Sequence, residues 1–220
     1  MISLARRMSP NLNPDKALIF RITHIENLRW ILENGLHCAS SGHRDPNFIS
    51  IGNPDLISRR AGRVLPPPHG GHLSDYVPFY FTPYSPMMLN IKTGYNGIIK
   101  RPNADIVVMV SSFHHLQSRG THVVFSDRHA YLQAANFSAD PNDLSRIDWK
   151  LLQSRDFKRD PEDPEKVERY QAEALAHQHV PVDALLGIAC YSDSSKAKVE
   201  HHVAATGAAV RIIAQPAWYF

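Results

Sequence analysis

The chain has 220 residues, a hydrophobic fraction of 43% and a formal net charge of +3, with 13 histidines in reserve. That length allows a sizeable core in one domain, the mild positive charge permits an anionic partner without demanding one, and no stretch approaches the roughly 20 apolar residues that span a bilayer. The N-terminal Met1-Ile2-Ser3-Leu4-Ala5-Arg6-Arg7 has no apolar run behind it, so the expected compartment is the cytoplasm, where Cys38 and Cys190 read as free thiols.

In chain order, residues 17–22 form a short apolar strand. Thr23 is the expected N-cap of the following helix, with Glu26 three residues on completing a capping box and Gly35 as the stop. Asn53-Pro54-Asp55 opens a second helix that runs on to residue 63. Strands are expected at 77–82, at 105–110 (the strongest buried-strand signal), at 122–125, at 185–190 and at 209–213. Helices are expected at 113–118 and 192–206. Residues 127–136 read as mixed, and 164–175 as a helix or a helix entering a strand. Strands and helices are interspersed without βαβ periodicity, which predicts an α+β fold with a split, mostly antiparallel sheet. Residues 1–220 are expected to form a single domain, with 1–16 a poorly ordered or accessory N-terminal segment.

Several chemistries find no support. There is no G-x-G-x-x-G and no Walker motif, hence no Rossmann or P-loop phosphate cradle. No G-x-S-x-G occurs, and Cys38 beside His37 is too local for a triad. His114-His115 and His201-His202 point to opposite faces of an extended chain. His177 and His179 would share a strand face but lack a third ligand, so no metal is expected.

Three segments are more informative. Arg21-Ile22-Thr23-His24-Ile25-Glu26-Asn27-Leu28 stands at a strand-to-helix junction, where free N–H groups suit phosphate. On the residues alone, Thr23 as a simple cap and His24 as a packing residue serve as well. Ser58-Arg59-Arg60, followed by the aromatic run around Tyr80, offers bidentate grips for pyrophosphate and faces for stacking. An exposed basic helix beside a core strand reads equally well. Tyr170-Gln171-Ala172-Glu173 places a carboxylate at the start of an apolar segment, where an arbitrary Glu is ordinarily solvated.

Taken together, and with Asp75-Tyr76-Val77-Pro78-Phe79-Tyr80-Phe81-Thr82-Pro83, Ser85-Pro86-Met87 and Phe125-Ser126-Asp127-Arg128-His129 between them, these segments resemble the DarT family from about residue 17 to the C-terminus. The resemblance implies the ADP-ribosyltransferase fold shared with poly-ADP-ribose polymerases. It implies transfer of ADP-ribose from NAD, used as a substrate, to a base in single-stranded DNA, usually thymine. A toxin role implies a partner, a macrodomain antitoxin that hydrolyses the modification. By motif, Glu173 takes the catalytic glutamate position and Arg60 the second catalytic position, with Arg59 as the alternative. Arg21, Ile22 and Thr23 would hold the nicotinamide end of NAD, and His24, Arg59, Arg60 and Tyr80 would also bind the dinucleotide. DNA would lie over His129, Lys166 and Arg169. The family often has His where this chain has Arg21, which changes the grip on NAD while leaving the backbone of that strand available. Guanine, RNA or protein as acceptor, plain NAD hydrolysis, and a non-catalytic basic nucleic-acid-binding module are the competing readings.

Overall fold

A computed structural model describes residues 10–220 of the chain. Of the expected accessory segment 1–16, residues 1–9 lie outside the described residues. The rest packs: Leu12 is buried in the main core, and its carbonyl accepts a hydrogen bond from Gln153 Nε2 at 2.8 Å.

The first half of the chain contributes β1 (Leu18–His24), α1 (Leu28–Asn34), β2 (Leu36–His37), α2 (Pro54–Ala61), β3 (Tyr76–Tyr80) and α3 (Pro86–Thr93). Next come β4 (Ile106–Ser112), α4 (Phe113–Ser118), β5 (Val123–Ser126), β6 (Phe137–Ser138) and α5 (Trp149–Ser154). The chain closes with α6 (Lys166–Arg169), β7 (Glu173–His177), β8 (His179–Val180), β9 (Gly187–Cys190), α7 (Asp193–Thr206) and β10 (Ile212–Ala214). Polar caps set the helix starts. Asn53 accepts from Leu56 N ahead of Pro54, and Ser85 accepts from Met88 N ahead of Pro86. Gly35 ends α1 at φ 82°, and a Cβ there would sit 2.7 Å from Val180 O, so both backbone angle and space call for glycine.

Eight strands run in the order β10-β9-β4-β1-β3-β7-β5-β6, antiparallel except for β9 and β10, and β2 pairs separately with β8. The α+β expectation holds, and the split is visible in the register. β1 pairs with β4 through seven residue pairs but meets β3 only at Phe20↔Tyr80. Pro78 explains the seam. Its carbonyl faces β1, so its missing N–H lies on that side too, and β3 cannot donate to β1 there. Ile106, Val107, Val108 and Met109 in β4 are all buried, as a central strand covered on both faces requires.

Two local expectations are corrected. His24, not Thr23, caps the turn after β1: its Nδ1 accepts from Glu26 N at 3.2 Å. The strand ladder continues through Thr23 and His24, paired with Val107 and Ile106, and so moves the start of the turn one residue on. His177 and His179 do not share a face. Gln178 between them has φ 60°, and the chain leaves the large sheet at His177 to pair His179 with His37.

Candidate active site

The seam between β1 and β3 places the functional groups. Glu173, the first residue of β7, stands opposite Tyr80 on one side and Ser126 on the other, one strand in from the seam. It is 2% exposed. Its carboxylate is held on both oxygens: Arg60 Nη1 donates to Oε1 at 2.9 Å, Arg60 Nη2 to Oε2 at 2.8 Å, and Ala130 N to Oε1 at 3.0 Å. Such a fork-on-fork pair fixes direction as well as charge. Burial pushes the Glu173 carboxyl up, but the Arg60 guanidinium and the hydrogen bonds around it outweigh burial and hold it below the usual range. Burial likewise works against charge on Arg60, and the Glu173 carboxylate more than restores it.

Arg60 and not Arg59 makes this contact, because α2 turns Arg59 outward, where it is exposed. Arg21 emerges from β1 at the seam and donates from Nη1 to Pro78 O at 2.9 Å, while its Nε is buried without a partner. Burial first, and then the nearby Arg60, pull the Arg21 guanidinium down to about 10, which leaves it charged at neutral pH. Tyr80 sits in the same pocket of charge, and burial followed by Glu173 pushes its hydroxyl up to about 12.

Of the four expected β1 contacts, Arg21 alone lines the cleft described next. Thr23 shares its side of the strand but is buried, its Oγ1 accepting from Asn27 Nδ2 at 3.0 Å. Ile22 and His24 alternate to the other face, so only their backbone can serve the cleft.

The cleft has a volume of about 730 Å³ and is lined by Arg21, Arg60, Trp30, His37, Phe48 and Ile57 among others. Its outer wall is the irregular segment 38–53, which has few regular backbone bonds and is fastened by side chains. Asn27 is the main fastener. Its Nδ2 donates to Ile49 O at 2.9 Å and its Oδ1 accepts from Ile49 N at 2.8 Å. Ser40 Oγ donates to Asp75 Oδ1 at 2.6 Å, which ties the wall to the turn before β3. His37, His43 and His179 gather around Asn34 at the rim, with His37 ring centroids 4.8 Å from His43 and 4.4 Å from His179. Among the described residues, no group of three or more His, Cys, Asp or Glu is arranged to hold a metal ion.

The segment before Glu173 separates the expected DNA contacts. His129 lies against Glu173, Nδ1 to Oε1 at 3.4 Å. Burial holds its ring below the usual histidine range despite Glu173, and Nδ1 accepts from Tyr131 N at 3.2 Å, so the proton of the neutral ring sits on Nε2. Lys166 is paired with Asp156 at 2.9 Å, and Arg169 with Asp163 at 2.7 Å and Asp148 at 3.4 Å. These two cations therefore brace the loop that delivers Glu173. Asn27, Ser126 and the Ala130 amide join the site without being among its sequence-predicted residues. Asn27 stood inside the first motif four residues after Thr23, a usable signal, whereas a backbone N–H carries none.

A family model described as ssDNA thymidine ADP-ribosyltransferase, DarT, matches residues 20–220. A DNA ADP-ribosyl transferase of Escherichia coli O127:H6 is 48% identical over 217 residues, covering 99% of this chain and 100% of that protein. Among solved structures, Thermus sp. 2.9 DarT in complex with ADP-ribosylated ssDNA superposes with a TM-score of 0.86 at 30% identity, covering 98% of this chain and 100% of the other. The same Thermus protein in complex with NAD+ gives 0.78 at 32% identity, over 94% and 99% of the two chains. The chain belongs to the DarT family of single-stranded-DNA thymidine ADP-ribosyltransferases.

Proposed function

We propose that NAD occupies the 730 Å³ cleft with its nicotinamide ribose against Glu173, and that Glu173 and Arg60 transfer the ADP-ribose to a thymine of single-stranded DNA. The observation that carries the reading is the buried, bidentate Arg60–Glu173 pair one strand from the sheet seam, with Arg21 and Arg60 lining the cleft. In the reaction the bond from the ribose C1′ to the nicotinamide nitrogen breaks, and nicotinamide leaves with the bonding pair. Positive charge builds on the sugar. A carboxylate fixed next to that carbon stabilises it electrostatically, a contribution worth about 10²–10³ in rate for one preorganised partner. The thymine ring nitrogen then bonds to C1′ and gives up its proton to water. Arginine is too weak an acid to act as base, so Arg60 stabilises the developing anionic ring or the pyrophosphate.

Arg21, the backbone of residues 22–24 and Tyr80 hold the cofactor end of the cleft in this reading, and His129 meets the incoming base. Arg59 stays at the surface as a secondary cation. Duplex DNA is refused because its thymine ring nitrogen is already engaged in pairing. The biological role is that of a cytoplasmic toxin, restrained by a macrodomain antitoxin that hydrolyses the product. Two features support the cellular part: the family membership, and the absence among the described residues of any helix long and apolar enough to cross a membrane.

The decisive test is mass spectrometry of thymine-containing oligonucleotides, of RNA and of protein acceptors, each incubated with NAD and the full chain. A mass gain of one ADP-ribose on single-stranded DNA, lost in Glu173→Ala and absent on duplex, is the expected result. Equal modification of duplex and single strands, or a mass gain confined to RNA or protein, overturns it.

A further inference from the structure

A second groove lies beside the catalytic pair and shares no lining residue with the cleft. Its volume is about 560 Å³, and its two main walls come from the chain just after α2 and from the stretch running from β5 into β6 at Phe137, with Arg146 added from the turn before α5. Both walls start at the active site. Arg63 follows Arg60 by three residues. Gln133 follows Ala130, whose amide holds Glu173, also by three. Arg63 joins the two walls, donating from Nη1 to Gln133 Oε1 and from Nη2 to Leu132 O, both at 3.1 Å.

The lining has a distinct chemistry. Arg63 and Arg146 supply two positive charges, Gln133 and Asn136 supply amides, Phe137 supplies an aromatic ring, and no carboxylate lines the groove. Arg63 meets only neutral acceptors there, and its Nε is buried without a partner, so its charge is not cancelled by any ion pair among the described residues. Arg146 makes one half-exposed pair with Asp143 at 2.9 Å, the kind of contact worth little in water and readily exchanged for another anion. This contrasts with Lys166 and Arg169, whose charges are answered by carboxylates. An aromatic ring beside one unpaired arginine and one weakly paired arginine is a combination suited to single strands, the ring by stacking and the cations by phosphate contact.

We infer that this groove receives the nucleotides flanking the modified thymine on one side, so that the strand runs from Glu173 past His129 into the space between Arg63 and Phe137. The inference rests on the DNA-modifying reading above and assigns the strand's path.

The test uses the full chain and a series of oligonucleotides with a single thymine, lengthened stepwise on the 5′ or the 3′ side. For the wild type, lengthening on one side lowers KM, and log(kcat/KM) falls with log[salt]. Arg146→Gln should flatten that salt slope by about 0.7, the value for one lost phosphate contact on a single strand. Phe137→Leu should raise KM about tenfold for long strands and leave the shortest unchanged. Nicotinamide release without DNA reports the fold of each variant and should match the wild type. If both variants follow the wild type at every length and salt concentration, the groove assignment is overturned while the DNA reading stands. If the wild type modifies no oligonucleotide, the DNA reading itself fails and the groove assignment falls with it.

Discussion

Arg60 and Glu173 can be separated into charge and geometry. Arg60→Lys keeps a cation but can no longer grip both carboxylate oxygens, so one charge-assisted bond of about 1.5–3 kcal/mol is lost. We expect kcat for DNA modification to drop at least about tenfold, with KM for NAD changing less. Steady-state kinetics with full activity in Arg60→Lys would remove the bidentate role. Arg60→Ala leaves Glu173 buried and unanswered, and the stability loss should reach about 3–5 kcal/mol in urea titration. An unchanged urea midpoint would mean that the pair is already solvated. The sequence pointed to both residues through motif resemblance, since on the residues alone a Glu such as Glu173 is more often a solvated surface group. The choice between Arg59 and Arg60 was not legible, because neighbouring helix positions differ by about 100° and only the packed orientation of α2 decides which reaches inward.

At the scale of elements, the cleft wall is the part that regular structure does not hold. Segment 38–53 depends on Asn27, which fastens Ile49 through two backbone hydrogen bonds and Thr23 through a third. Asn27→Leu leaves those half-buried backbone groups without their protein partner, which should cost about 1–2 kcal/mol. Because the wall belongs to the cleft and not to the Arg60–Glu173 pair, KM for NAD should rise several-fold while kcat at saturating NAD holds. A variant with unchanged KM would show that the wall stands without Asn27. This fastening explains what the sequence concealed. Long strands such as β4 announce themselves by continuous apolar runs, and the Asn53 cap by type and position. Thr23 does not cap because pairing with Val107 prolongs β1, a tertiary effect that local cap preference cannot register. The bracing of Lys166 and Arg169 was equally hidden, since their carboxylate partners Asp156, Asp163 and Asp148 become neighbours only once the loop is folded.

For the whole molecule, ionisable groups held in or against the core set the response to pH. His24, His37, His69 and His129 are all held below the ordinary histidine value, in each case first by burial. For His37 the neighbouring rings of His179 and His43 add repulsion, and for His129 the Arg60 guanidinium does. An unfolded chain protonates its histidines near pH 6.5, whereas the folded chain resists until lower pH. Between those limits the unfolded state binds more protons, so stability rises with pH. The stabilisation is therefore fully present above about pH 6.5 and is lost as pH falls through the folded values. Asp75 and Glu173 extend the trend at more acid pH. Both lie below the usual carboxylate range, Asp75 chiefly through the His72 amide and the Ser40 hydroxyl, and Glu173 through Arg60 against its burial. Their contribution is present above the unfolded carboxylate value of about 4 and lost below it. The urea midpoint should accordingly be level from pH 8 to 7, decline from about pH 6.5 to 5, and decline again toward pH 3. Replacing His179 by Asn relieves the repulsion on His37 and should make the first decline shallower. A midpoint that stays level or rises between pH 6.5 and 5 would mean that these rings are already charged in the folded protein, and that the crowded rim around Asn34 is open to water.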